Sequence, residues 1–200
     1  MKLYLVRHGE TDWNKIHKLQ GKSNVPLNEY GRELARVTSK AMEDIEFTHI
    51  FSSPLDRAYE TAEILRGSRD LEIVVDKRLE EMSFGIYEGV PNEEVKEGVD
   101  MFFNDPANYI PPEGGETYQE VCQRTQSFVE EVLIPLSERE PDAQVLLTAH
   151  GALNKTIIIY LKHLEIKNMW DGAFQKNCCV NIFDINGYDF KLIEEAKVYY

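Results

Sequence analysis

Two histidines in this chain follow apolar runs and precede a glycine. Leu3-Tyr4-Leu5-Val6 breaks into Arg7-His8-Gly9-Glu10-Thr11, and Gln144-Val145-Leu146-Leu147-Thr148-Ala149 breaks into His150-Gly151. An apolar run that turns abruptly polar is how a buried strand ends in a loop, and strand ends are where α/β proteins keep their chemistry. Arg7 offers a planar fork of donors suited to phosphate or carboxylate, and His8 can be neutral and nucleophilic near neutral pH. Gly9 lets the backbone approach a ligand closely. A single Arg-His-Gly fits a plain strand-to-turn junction equally well. The repetition carries more, because two strands ending in His-Gly could place both imidazoles at one edge of one sheet. Two further groups could join them. Arg57 follows Ser52-Ser53-Pro54-Leu55-Asp56, a helix start where a guanidinium and the positive helix end can face an anion together, although a solvated helix residue is the bland alternative. The loop Arg78-Leu79-Glu80-Glu81-Met82-Ser83-Phe84-Gly85 is rich in ionisable groups.

Several other chemistries are excluded by inspection. A cysteine phosphatase needs Arg six positions after Cys, and Phe128, Asp184 and Ile185 stand there after Cys122, Cys178 and Cys179. Gln20-Gly21-Lys22-Ser23 resembles the tail of a phosphate-binding P-loop, but the first glycine of that motif would fall at Ile16. No HExxH, HxH or Cys/His cluster offers metal-ligand spacing, and no GxSxG elbow is present. The expectation is therefore a site without metal or cofactor.

Alternating strands and helices must position these residues. Asn28 is read as the N-cap of a helix from Glu29 to about Asp44, with Leu34, Val37, Ala41 and Ile45 on one face. His49-Ile50-Phe51 is a short strand. Ser53 is read as N-cap, Pro54 as the first helical residue and Asp56 as the capping-box acid of the next helix. Leu71 to Val75 is another strand. The segment 86–116 is irregular, with Pro91, Pro106, Pro111 and Pro112, several aromatics and a helical patch near Asn92 to Phe103. It is read as an excursion covering one end of the sheet. Thr117 and Glu120 form a capping box for a long helix that buries Val121, Thr125, Phe128, Val129, Val132 and Leu133 and is ended or kinked by Pro135; Cys122 belongs to its packing. After the strand 144–149 comes a helix from Leu153 to Leu164. A hairpin turning at Asn186-Gly187 closes the chain, with Cys178 and Cys179 as packing residues on opposite faces of its first strand. The pattern implies one α/β domain spanning 1–200, a three-layer α/β/α sandwich around a mostly parallel mixed sheet.

A net charge of −13 argues against nucleic acid and anionic membranes, so an anionic ligand must be held by a local basic pocket. Three cysteines without a CxxC pair suit a reducing compartment, and no signal or membrane segment is visible, so the chain is expected to be cytoplasmic.

Taken together, Arg7-His8-Gly9-Glu10-Thr11 with Trp13-Asn14, Gln20-Gly21, Pro26-Leu27 with Gly31, Ser52 through Ala58 with Thr61-Ala62, Leu79 through Gly89, Gly114-Gly115-Glu116 and Ala149-His150-Gly151 form an ordered set spanning most of the chain. This set resembles the histidine phosphatase superfamily, in its phosphoglycerate-mutase-like branch. The resemblance implies the corresponding sandwich fold. It also implies that His8 is a nucleophile forming phosphohistidine, that Arg7, Arg57 and His150 bind the phosphoryl oxygens, and that an acid in the loop around Glu81 protonates the leaving alcohol. Alignment from Phe84-Gly85 and Tyr87-Glu88-Gly89 selects Glu81 over Glu80. Asn14, Gln20, Gly21 and Gly151 follow as secondary substrate contacts.

Between Leu79 and Gln123 the sole basic residue is Lys96, whereas mutases of the family use basic residues there. Hydrolysis of a small phosphomonoester is thus preferred, by a broad-specificity or α-ribazole-phosphate-like phosphatase. Phosphoglycerate-mutase-type transfer is the alternative, and an inactive phospho-ligand-binding module is a more distant one. Phe84, Tyr87, Met101, Phe102, Phe103 and Tyr109 are candidates to line an apolar pocket for the leaving group. The expected partner is the small-molecule phosphomonoester, and a homodimer is left open.

Overall fold

The computed structural model describes all residues from Met1 to Tyr200. Six strands form one sheet: β1 (Lys2–Arg7), β2 (His49–Ser52), β3 (Ile73–Val75), β4 (Gln144–Ala149), β5 (Val180–Asn186) and β6 (Asp189–Lys197), in the order β3-β2-β4-β1-β5-β6. The first four run parallel; β5 and β6 add antiparallel at one edge.

Alternation along β1 sends Leu3 and Leu5 to one core and Tyr4 and Val6 to another. Over the second core lie helices α2 (Glu29–Ala41) and α3 (Asp56–Arg66). Over the first lie α5 (Tyr118–Phe128), α6 (Ile134–Arg139) and α7 (Gly151–Leu161). The sheet is therefore sandwiched between helical layers. A four-residue helix α1 (Asp12–Lys15) follows β1, and α4 (Lys96–Asn104) lies in the long segment between β3 and α5.

The caps that depend on near neighbours form where the sequence puts them. Asn28 accepts from the Gly31 amide at 2.8 Å, and Thr117 with Glu120 forms a reciprocal capping box. Pro135 does not end its helix. A five-residue π turn, Val129–Leu133, precedes it and α6 continues beyond.

Other boundaries move. Helix α2 ends at Ala41 and buries Gly31, Leu34, Ala35 and Thr38, while Ala41 is exposed. Helix α7 starts at Gly151 directly after the strand, and ends at Leu161 rather than Leu164. Strand β3 is short and starts at Ile73. The hairpin pairs Asn186 with Asp189, so Gly187-Tyr188 is the turn, with Gly187 at φ +55° in the first position, as a type II′ turn requires. Helix α3 starts at Asp56, two residues later than Pro54; Leu55 at its N-cap offers no side-chain acceptor, and Asn24 Oδ1 accepts from the Asp56 amide at 2.8 Å. The Ser53 hydroxyl meets His150 Nε2 at 2.7 Å and accepts from the Leu55 amide at 3.3 Å.

Candidate active site

The register of β1 on β4 pairs Arg7 with Ala149, so the residues that follow, His8 and His150, emerge side by side. The His8 amide donates to the Ala149 carbonyl at 2.9 Å, and the two rings lie edge to face with centroids 5.2 Å apart. Both imidazoles are buried, His8 at 3% exposure and His150 at 0%.

His8 Nδ1 sits 2.6 Å from the Gly9 carbonyl. A carbonyl only accepts, so Nδ1 carries the proton and the neutral ring keeps its lone pair on Nε2. Burial, then the positive charges of Arg57 and Arg7, hold the His8 pKa well below its usual value. His150 is held low by burial, Arg57 and His8. Its Nε2 meets the Ser53 hydroxyl at 2.7 Å, and its Nδ1 has no partner.

Two guanidiniums face the histidines. Arg57, the second residue of α3, is fully buried; its Nη1 donates to the Ser23 carbonyl and its Nη2 to the Gly21 carbonyl, both at 2.7 Å. Burial lowers its pKa to about 10, with Glu81 opposing and Arg7 assisting, so it stays cationic at neutral pH. Arg7 Nη1 donates to the Gln175 carbonyl, and its pKa is likewise lowered by burial. The Nε atoms of both arginines are buried without partners.

The neighbouring acids take different places. The Glu81 side chain is buried and accepts from the Ala152 amide at 3.1 Å, the Leu153 amide at 2.9 Å and the Met82 amide at 2.9 Å, so the N-terminus of α7 holds it. Glu80 turns outward, 3.7 Å from the Lys22 ammonium. Arg124 of α5 braces the acid loop by donating to the Arg78, Glu80 and Glu81 carbonyls and to Glu116.

These groups converge on a cavity of about 400 Å³. Arg7, His8, Asn14, Gln20, Gly21, Arg57, Glu81 and Gly151 all line it. His150, fully buried and edge to face with the His8 ring, is not among the residues that line it. Of the six apolar candidates, Phe84, Phe102 and Phe103 reach the cavity, but Tyr87, Met101 and Tyr109 do not. Tyr109 packs within 5.4 Å of Phe102 and 5.5 Å of Tyr118, ring to ring.

Sequence reasoning missed a second wall, from the segment between α7 and β5, where Trp170, Phe174, Gln175 and Asn177 line the cavity. The Asn177 side chain donates from Nδ2 to the His8 carbonyl at 3.1 Å and to Asn14 Oδ1 at 3.3 Å. No periodicity marks this segment; two aromatics near the polar Gln175 and Asn177, just before Cys178-Cys179, are its only signal. Cys178 and Cys179 are both buried, and Cys179 Sγ meets Gln175 Oε1 at 3.3 Å. No three His, Cys, Asp or Glu side chains gather into a metal-ligating group, and no helix is long and apolar enough to cross a membrane.

The family model of the histidine phosphatase superfamily (branch 1) matches residues 3–196. The chain belongs to that superfamily. A phosphatase named PhoE from Bacillus subtilis, of uncharacterised role, is 38% identical over 148 residues, covering 74% of this chain and 70% of its own length. The fructose-2,6-bisphosphatase TIGAR B of Danio rerio is 36% identical over 146 residues; the match covers 70% of this chain but only 56% of the zebrafish protein. Among solved structures, Bacillus stearothermophilus YhfR superposes with a TM-score of 0.89 at 34% identity, covering 98% of this chain and 97% of that one. The α-ribazole phosphatase from Shigella flexneri gives 0.84 at 28% identity, covering 98% and 96%. The α/β sandwich and the family membership thus stand together.

Proposed function

We propose that this protein is a phosphomonoesterase that works through a phosphohistidine on His8 and acts on small phosphorylated metabolites. The observation that carries the reading is the 2.6 Å contact of His8 Nδ1 with the Gly9 carbonyl, which leaves the Nε2 lone pair free in a cavity that Arg7 and Arg57 also line. In the first step the Nε2 lone pair attacks phosphorus, the bond from phosphorus to the ester oxygen breaks, and Glu81 gives its proton to that oxygen. In the second step water attacks the phosphohistidine, Glu81 takes the water's proton, and inorganic phosphate leaves with His8 restored. The negative charge spread over the equatorial oxygens is met by Arg7 and Arg57, which line the cavity and are fixed before reaction, with His150 assigned the imidazole donor beside them. His150 Nδ1, unpartnered, supplies the imidazole donor. Since the arginines supply the positive charge, the reaction is expected to need no metal.

The leaving group faces Phe84, Phe102, Phe103, Trp170 and Phe174, with Lys18 the one ammonium and Glu10 an opposing acid. Such walls favour an uncharged leaving group over a second phosphate, and hence hydrolysis over mutase transfer. They fit a broad-specificity or α-ribazole-phosphate-like phosphatase. The test is trapping of labelled enzyme after mixing with a 32P-phosphomonoester and quenching in alkali, together with a phosphate-release screen in a chelator. Label on the wild type, none on His8→Ala, and a loss of at least about 10,000-fold in turnover of that variant are expected. Full activity in His8→Ala, or activity abolished by the chelator, would overturn the reading.

A further inference from the structure

Glu88 lies outside the cavity, yet its carboxylate joins the two loops that make the site. Oε1 accepts from the Lys22 amide at 3.0 Å, the Phe84 amide at 3.1 Å and the Ser83 hydroxyl at 3.3 Å. Oε2 accepts from the Ser23 amide at 2.8 Å and the Ser23 hydroxyl at 2.6 Å. Every donor is main chain or hydroxyl. The nearby Lys22 ammonium pairs with Glu80 and Glu116 instead. The carboxylate therefore works as a geometric fastener and not as half of a surface ion pair.

What it fastens matters for Arg57. The carbonyls that hold the two terminal nitrogens of Arg57 belong to Gly21 and Ser23, and the amides Glu88 binds are those of Lys22 and Ser23. The Gly21 carbonyl and the Lys22 amide share one rigid peptide plane, so fixing that amide aims that carbonyl, while the bound Ser23 amide lies one Cα before the Ser23 carbonyl and restrains it at short range. Gly21 has φ +52°, and a Cβ there would run into the Glu88 carboxylate, so the loop is shaped for this approach. On its other side Glu88 holds Ser83 and Phe84, close in sequence to Glu81.

We infer that Glu88 is a positioning residue: by tying the 21–23 loop to the acid loop, it aims the Gly21 and Ser23 carbonyls at Arg57 and so sets the guanidinium against the phosphoryl group. The inference rests on the proposed role of Arg57 as a phosphate clamp.

The test uses the full chain and its variants Glu88→Ala, Glu88→Gln, Arg57→Lys and the double variant Glu88→Ala/Arg57→Lys. Two readouts are taken: kcat/KM for p-nitrophenyl phosphate, whose leaving group needs no proton, and affinity for inorganic vanadate. A clamp displaced by a fraction of an ångström to an ångström costs about 10- to 100-fold, so Glu88→Ala should lose that much in both readouts. A lysine cannot reach both carbonyls, so adding Glu88→Ala to Arg57→Lys should cost less than about threefold more. Gln keeps the acceptor for Phe84 and Lys22 but turns an NH2 toward the Ser23 amide. It should therefore fall between Glu and Ala in vanadate affinity, and it carries the test if the Ala variant does not fold. Full multiplication of the two single losses, or lowered melting temperature with unchanged vanadate affinity in Glu88→Ala or Glu88→Gln, would overturn the inference. Vanadate affinity is read whether or not the wild type turns over. Failed hydrolysis in the wild type would thus count against the enzyme reading, and unchanged vanadate affinity in the variants against this one.

Discussion

Burying two neutral imidazoles beside two guanidiniums makes this protein sensitive to mild acid. His8 and His150 are 3% and 0% exposed, and burial with the arginine charges holds both pKa values well below the usual range. In the unfolded chain each imidazole takes up a proton near pH ~6.5. Below that pH the unfolded state binds more protons than the folded one, so stability is fully present above it and is lost as the pH falls. The loss approaches about 1.4 kcal/mol per pH unit for each group, which comes to about 2.5 kcal/mol for the pair between pH 7.5 and pH 5.5. For a domain of this size that is a drop of roughly 5–10 °C in melting temperature. Carboxylates whose pKa values are lowered, such as Asp76 beside Arg78 and Glu116 at the Ser83 amide and Arg124, lose their contribution only at lower pH, so the window belongs to the histidines. Thermal unfolding of the wild type across that range, against a His8→Asn/His150→Asn double variant, measures the effect. The variant should be nearly flat. A bound anion beside the imidazoles offsets the arginine repulsion, so saturating inorganic phosphate should blunt the wild-type loss. A wild-type melting temperature that does not move, or an equal decline in the double variant, would refute the reasoning.

Two substitutions test the chemistry more directly. Glu81→Gln keeps the acceptor for the Leu153 and Met82 amides, turns its NH2 toward the Ala152 amide and carries no proton to give, so it should cost about 100- to 10,000-fold on an alkyl phosphate and far less on p-nitrophenyl phosphate; equal losses on both would remove Glu81 from the acid's role. Ser53→Ala leaves His150 Nε2 buried without its 2.7 Å partner and frees the tautomer that presents Nδ1 to phosphate. A penalty of about 1–3 kcal/mol, or roughly 5- to 150-fold in kcat/KM, is expected, and a loss of stability with kcat/KM unchanged would reduce Ser53 to packing.

What was legible in the sequence is whatever depends on near neighbours. The apolar runs before His8 and His150 marked two strands, and Asn28 and Thr117 capped their helices because a cap reaches only three residues ahead. Ser53 shows where that logic fails. Its hydroxyl has the chemistry of a cap, but its shorter contact is with a histidine 97 positions away, and the acceptor at the first helical amide comes from Asn24, 32 positions away. The same distance hid the Trp170 to Asn177 wall: Gln175 reaches Arg7 across 168 positions and Asn177 reaches His8 across 169. The sheet closes these distances. Because β1 and β4 are parallel and in register at Arg7 and Ala149, one pairing brings two strand ends together, places the N-terminus of α7 over Glu81, and sets β5 on the other side of β1. A residue-by-residue reading can thus nominate Arg7, His8, Arg57, Glu81 and His150 by type. What sets His8 beside His150 is a property of the register, since a slip of one residue on β1 or β4 would move one strand end past the other and turn its side chains to the opposite face.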